Sequence, residues 1–262
     1  MKPTLVLASF LAVVFSHFAS ARGYSGWENQ AMIANGQGVS SPSFWEGLKS
    51  QNPAGLAQNQ RLKFQAATAT FDDTTHNLRG SAALLGGEGP VGFGLEYSQF
   101  DSVPYAPSTH DISGGLALRL DAIHTDFGIT GHFVNGSSGS YNFGFLFDPG
   151  HRVRFGLMGT GVQNGFHDLG AGLTFEIDPA IDLVVDSSYN LSSKDSVVKP
   201  GITLHAARFE ISAAYGFNAH GTSEPLLYTK FSAAIGIELA DHVLLEYSYR
   251  GLPQHMLGLT IR

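Results

Sequence analysis

With eleven histidines and no cysteine, this 262-residue chain has imidazole but no thiol to offer a metal. His76, His110, His132, His167 and His220 fall at the ends of strand-like runs or in the longer connections, and imidazole suits zinc or copper. No His-x-His or His-x-x-x-His pair puts two of them on one element, so no metal site and no cofactor are expected. Serine chemistry has no better footing. No Gly-x-Ser-x-Gly elbow occurs, and the spacing names no Ser–His dyad. Gly87-x-Gly89-x-x-Gly92 satisfies the dinucleotide-binding spacing, yet it contains Pro90 and joins two strand-like runs, so it reads as a turn. The sequons at Asn135 and Asn190 matter only in a glycosylating host. These residues predict no enzyme.

The elements that position them start with the compartment. Lys2, the apolar run Leu5 to Phe15 and the small-residue pair Ala19-x-Ala21 read as a cleaved signal peptide over 1–21. Removing Lys2 and no acid takes the formal charge from −7 to −8. An acidic chain without a Lys/Arg cluster argues against nucleic acid as a partner. Charged residues make up only 14% of the chain against 43% hydrophobic, where soluble domains carry roughly 25% charged. An exported chain so poor in charge needs a non-aqueous surrounding, although no later apolar run approaches the ~18 residues of a membrane helix.

From Arg61 onward the sequence alternates with period two, the signal of a half-buried strand. Val91, Phe93, Leu95 and Tyr97 share one face; Gly92, Gly94, Glu96 and Ser98 share the other. Fourteen such runs fall near 61–71, 77–86, 90–101, 111–121, 122–134, 139–148, 151–162, 167–178, 180–190, 196–205, 207–217, 228–239, 241–250 and 254–262, with twelve as the lower count. Short and long connections alternate, as they do in a transmembrane barrel whose chain ends lie on the short-turn side. Tyrosines gather where strands meet the long connections, which reads as one interfacial girdle.

The fold class expected is therefore all-β: a transmembrane antiparallel up-and-down β-barrel of about fourteen strands over 61–262. Closure leaves no unpaired edge in lipid, where each unsatisfied backbone group costs several kcal/mol. Apolar faces point to lipid. The lumen receives the other, polar set, including Lys63, Gln65, Glu96, Arg119, Asp126, Arg154, Asp168, Asp186 and Glu246, whose mixed signs suggest paired charges, with inward glycines leaving room beside them.

Residues 22–60 are not strand-like and carry both tryptophans, Trp27 and Trp45. Near their end stands Asn52-Pro53-Ala54-Gly55-Leu56, a tight turn ahead of the first strand. Here the chain resembles the FadL-type transporters of hydrophobic compounds in bacterial outer membranes and their PorV-like relatives. That family opens with a short segment bearing this signature and continues as a fourteen-stranded barrel. The resemblance implies that 22–60 folds into the lumen as a hatch, with Asn52, Pro53, Ala54, Gly55 and Leu56 as its joint or gate. It implies an outer-membrane location with both chain ends periplasmic, outer-membrane lipid around the wall, and a small hydrophobic ligand to carry. The PorV-like alternative is a non-transporting scaffold for a protein partner in secretion or assembly. From the residues themselves, Val103 and Tyr105 in one long loop and Leu226 and Leu227 in another offer an apolar mouth where such a ligand would enter.

Overall fold

The structure is a computed structural model that describes residues 52–58, 62–71, 79–100, 109–134, 139–149, 152–162, 165–220, 231–250 and 254–261. The expected signal peptide, residues 22–51 of the hatch, and the mouth residues Val103, Tyr105, Leu226 and Leu227 lie outside the described residues.

After a 3-10 helix at Pro53–Gln58 the chain is nearly all strand. In order the strands are β1 (Lys63–Phe71), β2 (Arg79–Glu88), β3 (Val91–Phe100), β4 (Thr109–Leu120), β5 (Thr125–Val134), β6 (Tyr141–Phe147), β7 (Val153–Thr160) and β8 (Asp168–Asp178). They continue as β9 (Ile181–Asn190), β10 (Ser196–Ala206), β11 (Phe209–Tyr215), β12 (Phe217–His220), β13 (Phe231–Ala240), β14 (Val243–Arg250) and β15 (Gln254–Ile261). Only Gly216 separates β11 from β12, and both pair with β10, so they are two segments of one wall strand. The wall thus has fourteen strands, the higher of the two expected counts. Each pairs antiparallel with its sequence neighbour, and β1 pairs with β15 from Phe64↔Ile261 to Phe71↔Gln254. That last pairing closes the barrel and removes the edges lipid would not tolerate.

The alternation sorts side chains as expected. Leu95 is 56% exposed on the outer face, whereas its neighbour Glu96 is 4% exposed on the inner one. Phe93, Phe127, Leu157, Leu173, Phe175, Ile211 and Leu257 continue the outer band, the kind of surface that hydrocarbon covers. Inside, buried positions are mostly polar: Gln65, Asp126, Asp168, Asp186, Lys199, Glu246 and Thr260 among them.

One rim carries short turns, together with the start of β1 and the end of β15. Gly89-Pro90 joins β2 to β3, with Gly89 at φ +59, a conformation that costs glycine little. Two-residue turns join β8 to β9, β10 to β11 and β13 to β14 as well. The opposite rim carries the longer connections. Tyr97, Tyr215 and Tyr247 stand exposed on the outer face toward that rim, while Tyr141 is buried edge-on against Phe133. Tyr228, also expected in the girdle, lies outside the described residues.

Candidate functional site

The best-defined feature inside the wall is the turn at Asn52–Gln58. Its compactness comes from the asparagine. Asn52 Oδ1 accepts from the Ala54 amide at 3.1 Å and the Asn52 carbonyl accepts from the Gly55 amide at 2.9 Å, which starts the 3-10 winding. Gly55 contributes less than its type suggests. It is not among the positive-φ residues, and a Cβ there would meet nothing within 4 Å. The expected tight turn is an asparagine-capped helical turn with Pro53 in its first position.

The turn is seated on the inner faces of β2 to β6. Asn52, Pro53, Ala54, Leu56 and Ala57 are all buried, Ala54 completely. Leu56 and Ala57 pack with Ala83, Leu85 and Ala117 in a small apolar cluster. At one end the Asn52 amide donates to two wall carbonyls, Phe145 O on β6 at 3.1 Å and Leu157 O on β7 at 3.0 Å. At the other, Gln58 Nε2 donates to Asp126 Oδ2 at 3.4 Å. Asp126 in turn accepts from Arg119 Nε at 3.1 Å, so the expected pairing of lumen charges is present here and also holds the turn.

Four wall glycines make this approach sterically feasible. A Cβ on Gly92 of β3 would overlap the Leu56 backbone, and one on Gly128 of β5 would overlap Pro53. On Gly144 of β6 it would overlap Asn52 Oδ1. On Gly115 of β4 it would come within 2.7 Å of Leu56 Cδ1. These inward positions form a cradle across four adjacent strands, and any larger residue there would push the turn off the wall.

Beyond the cradle toward the long-loop rim lies a polar cluster that sequence reasoning missed. His132, expected among rim residues, faces inward near the end of β5 and is 2% exposed. Its Nδ1 lies 2.8 Å from Ser113 Oγ on β4, and its Nε2 lies 2.8 Å from Asn142 Nδ2 on β6. Ser113 Oγ donates to Asp111 Oδ1 at 3.2 Å. A Ser–His pair therefore exists where none could be named from spacing. The signal was the β4–β5 hairpin register, which places Ser113 opposite His132. An ionised Asp111 accepts the serine proton, which leaves the imidazole as the donor to Ser113 Oγ.

A second inward cluster joins Thr160, His167, Asp168 and Asn190. Asp168 accepts from Thr160 Oγ1, from Asn190 Nδ2 at 2.7 Å and from the His167 ring at 2.9 Å. Asn190 Oδ1 caps the amides of Ser192 and Ser193, so this group ties the loop between β9 and β10 to the wall. Among the described residues no group of three or more His, Asp or Glu is placed to hold a metal ion.

No family model matches the chain, and no curated protein matches it in sequence. Solved structures do. The CymD monoaromatic hydrocarbon channel superposes with a TM-score of 0.57 at 11% identity, over 87% of this chain and 95% of that one. The likeness is one of fold. It agrees with the resemblance carried by Asn52 to Leu56, for the barrel is built as that family's is. A mutant of the Rh. blastica porin matches with a TM-score of 0.48 at 8% identity, over 76% of this chain and 98% of that one.

Proposed function

We propose that the chain is an outer-membrane channel for small hydrophobic compounds, with residues 22–60 as a hatch hung from the wall at Asn52–Gln58. The observation that carries this reading is the seated turn: an Asn-Pro-Ala-Gly-Leu segment bound on the inner wall of a barrel whose fold is shared with a hydrocarbon channel. The seating also assigns a role. Three side-chain hydrogen bonds to the wall, burial of five of its seven residues and a cradle without spare volume support the turn as a fixed anchor rather than the moving part. Opening then belongs to the residues before Asn52. Capture at an apolar mouth formed by Val103, Tyr105, Leu226 and Leu227 completes the path, driven by burial at roughly 25 cal/mol per Å² of apolar surface.

The test is uptake of a labelled monoaromatic hydrocarbon into vesicles with a lipopolysaccharide outer leaflet. The full chain should admit it faster than protein-free vesicles, and deleting residues 22–51 should raise the rate further. A barrel sealed to every lipophile tried, even with the hatch deleted, ends the proposal.

A further inference from the structure

The buried cluster above the anchor has a direction. Asp111 can only accept through its carboxylate, so the one proton of Ser113 is committed to it. His132 Nδ1 must then be the donor to Ser113 Oγ, which leaves Nε2 bare. Asn142 Nδ2 fills that position as donor, with Thr130 Oγ1 at 3.4 Å beside it. The chain of donors runs Asn142 to His132 to Ser113 to Asp111 and ends on a carboxylate. Each bond polarises the next. All five residues are at most 2% exposed.

The head of this chain is incomplete. Asn142 Oδ1 is buried and has no hydrogen-bond partner among the described residues. A buried amide oxygen left without a donor is rare enough to require a reason. Its position supplies one. Asn142 and Gly144 are successive inward residues of β6, and Gly144 is the residue against which Asn52 sits. The unpaired acceptor is therefore one pleat above the anchor, on the side facing the long loops.

We propose that Asn142 Oδ1 is the polar contact of a ligand subsite. It selects small apolar compounds that carry one hydrogen-bond donor, a hydroxyl or an amine, over similar compounds that lack a donor. Asp111, Ser113 and His132 are positioning residues that hold the amide through its nitrogen and so fix Oδ1 as the unpaired acceptor. This deepens the channel reading and rests on it.

The probe pair is 4-ethylphenol and 4-ethylanisole, which share the ring and the ethyl group and differ in whether the oxygen carries a proton. Binding is measured to the full chain in lipid nanodiscs, corrected for empty nanodiscs. The wild-type chain should bind the phenol about tenfold more tightly, one hydrogen bond's worth. Asn142→Leu should abolish that preference while ether binding is kept; Asn142→Ala carries the same measurement if the leucine variant does not fold. His132→Gln should reduce the preference without removing it. Equal binding of the two probes by the wild type, or a preference that survives loss of Asn142, overturns the subsite and leaves the channel reading standing. Binding of neither probe removes both.

Discussion

The two halves of the inner wall are built from the same alternating pattern and do opposite things with it. Along β3 to β6 the inward positions include Gly92, Gly115, Gly128 and Gly144, and a backbone turn fills the space their missing side chains leave. Along β9 to β15 the inward positions carry Asp186, Lys199, Ser212, Ser232, Glu246 and Thr260, and side chains fill it. Lys199 is among the largest fully buried side chains and lies opposite Asp186 in the β9–β10 ladder. Fourteen strands enclose more volume than side chains alone close from one side. The contrast shows how a wall of uniform geometry assigns an attachment point: glycine on one arc admits a second backbone, and polar side chains on the other exclude it.

That asymmetry is open to challenge by mutation, and the largest effect should come from filling the cradle. Gly128→Val with Gly144→Val places two side chains where Pro53 and Asn52 sit. The pair should cost about 3 kcal/mol or more through overpacking and lost hydrogen bonds. Guanidinium unfolding followed by fluorescence of Trp27 and Trp45, the chain's two tryptophans, reads the loss. An unchanged midpoint would mean that the turn is not held by the cradle.

Asn52→Ala is next. It removes both bonds to the wall carbonyls and the cap on Ala54, for an expected cost of about 2 kcal/mol in the same assay. Asp126→Asn keeps an acceptor for Gln58 and loses the charge that Arg119 meets. Because the Arg119 side chain is 30% exposed, the cost should be about 1 kcal/mol and should shrink in high salt. Ser232→Ala probes the other half. The hydroxyl of Ser232 is buried with no hydrogen-bond partner among the described residues, so its removal should change stability by about 0.5 kcal/mol or less, in either direction. A large loss there would show that the side-chain-filled arc is as tightly specified as the cradle.

Much of this was legible in the chain itself. Period-two alternation marked every wall strand because a membrane barrel shows lipid on one face and lumen on the other, and the pattern has no second meaning at that length. The one irregular stretch shows the limit. In β10 the inward set Val197, Lys199 and Gly201 is interleaved with Val198, Pro200 and Ile202, so apolar residues occupy both faces and Lys199 was not recognised as a lumen charge. His132 was legible as a residue near a strand end and illegible as a buried one, because inwardness near a rim depends on which neighbours lean over it. The Asn-Pro-Ala-Gly-Leu turn was conspicuous, yet nothing in its sequence showed that Asn52 rather than Gly55 supplies its compactness.

The sequence by itself determined the succession of wall strands, their facing and the place of the turn, since each follows from local periodicity and turn chemistry, while the count of fourteen rather than twelve came from the pairing. Only the tertiary structure decided that four glycines from four strands meet one turn, and that Asn142, His132 and Ser113 line up as donors in series ending on Asp111. Those groupings depend on strand register, which adds positions far apart in the chain into one ring, and no local pattern contains that sum.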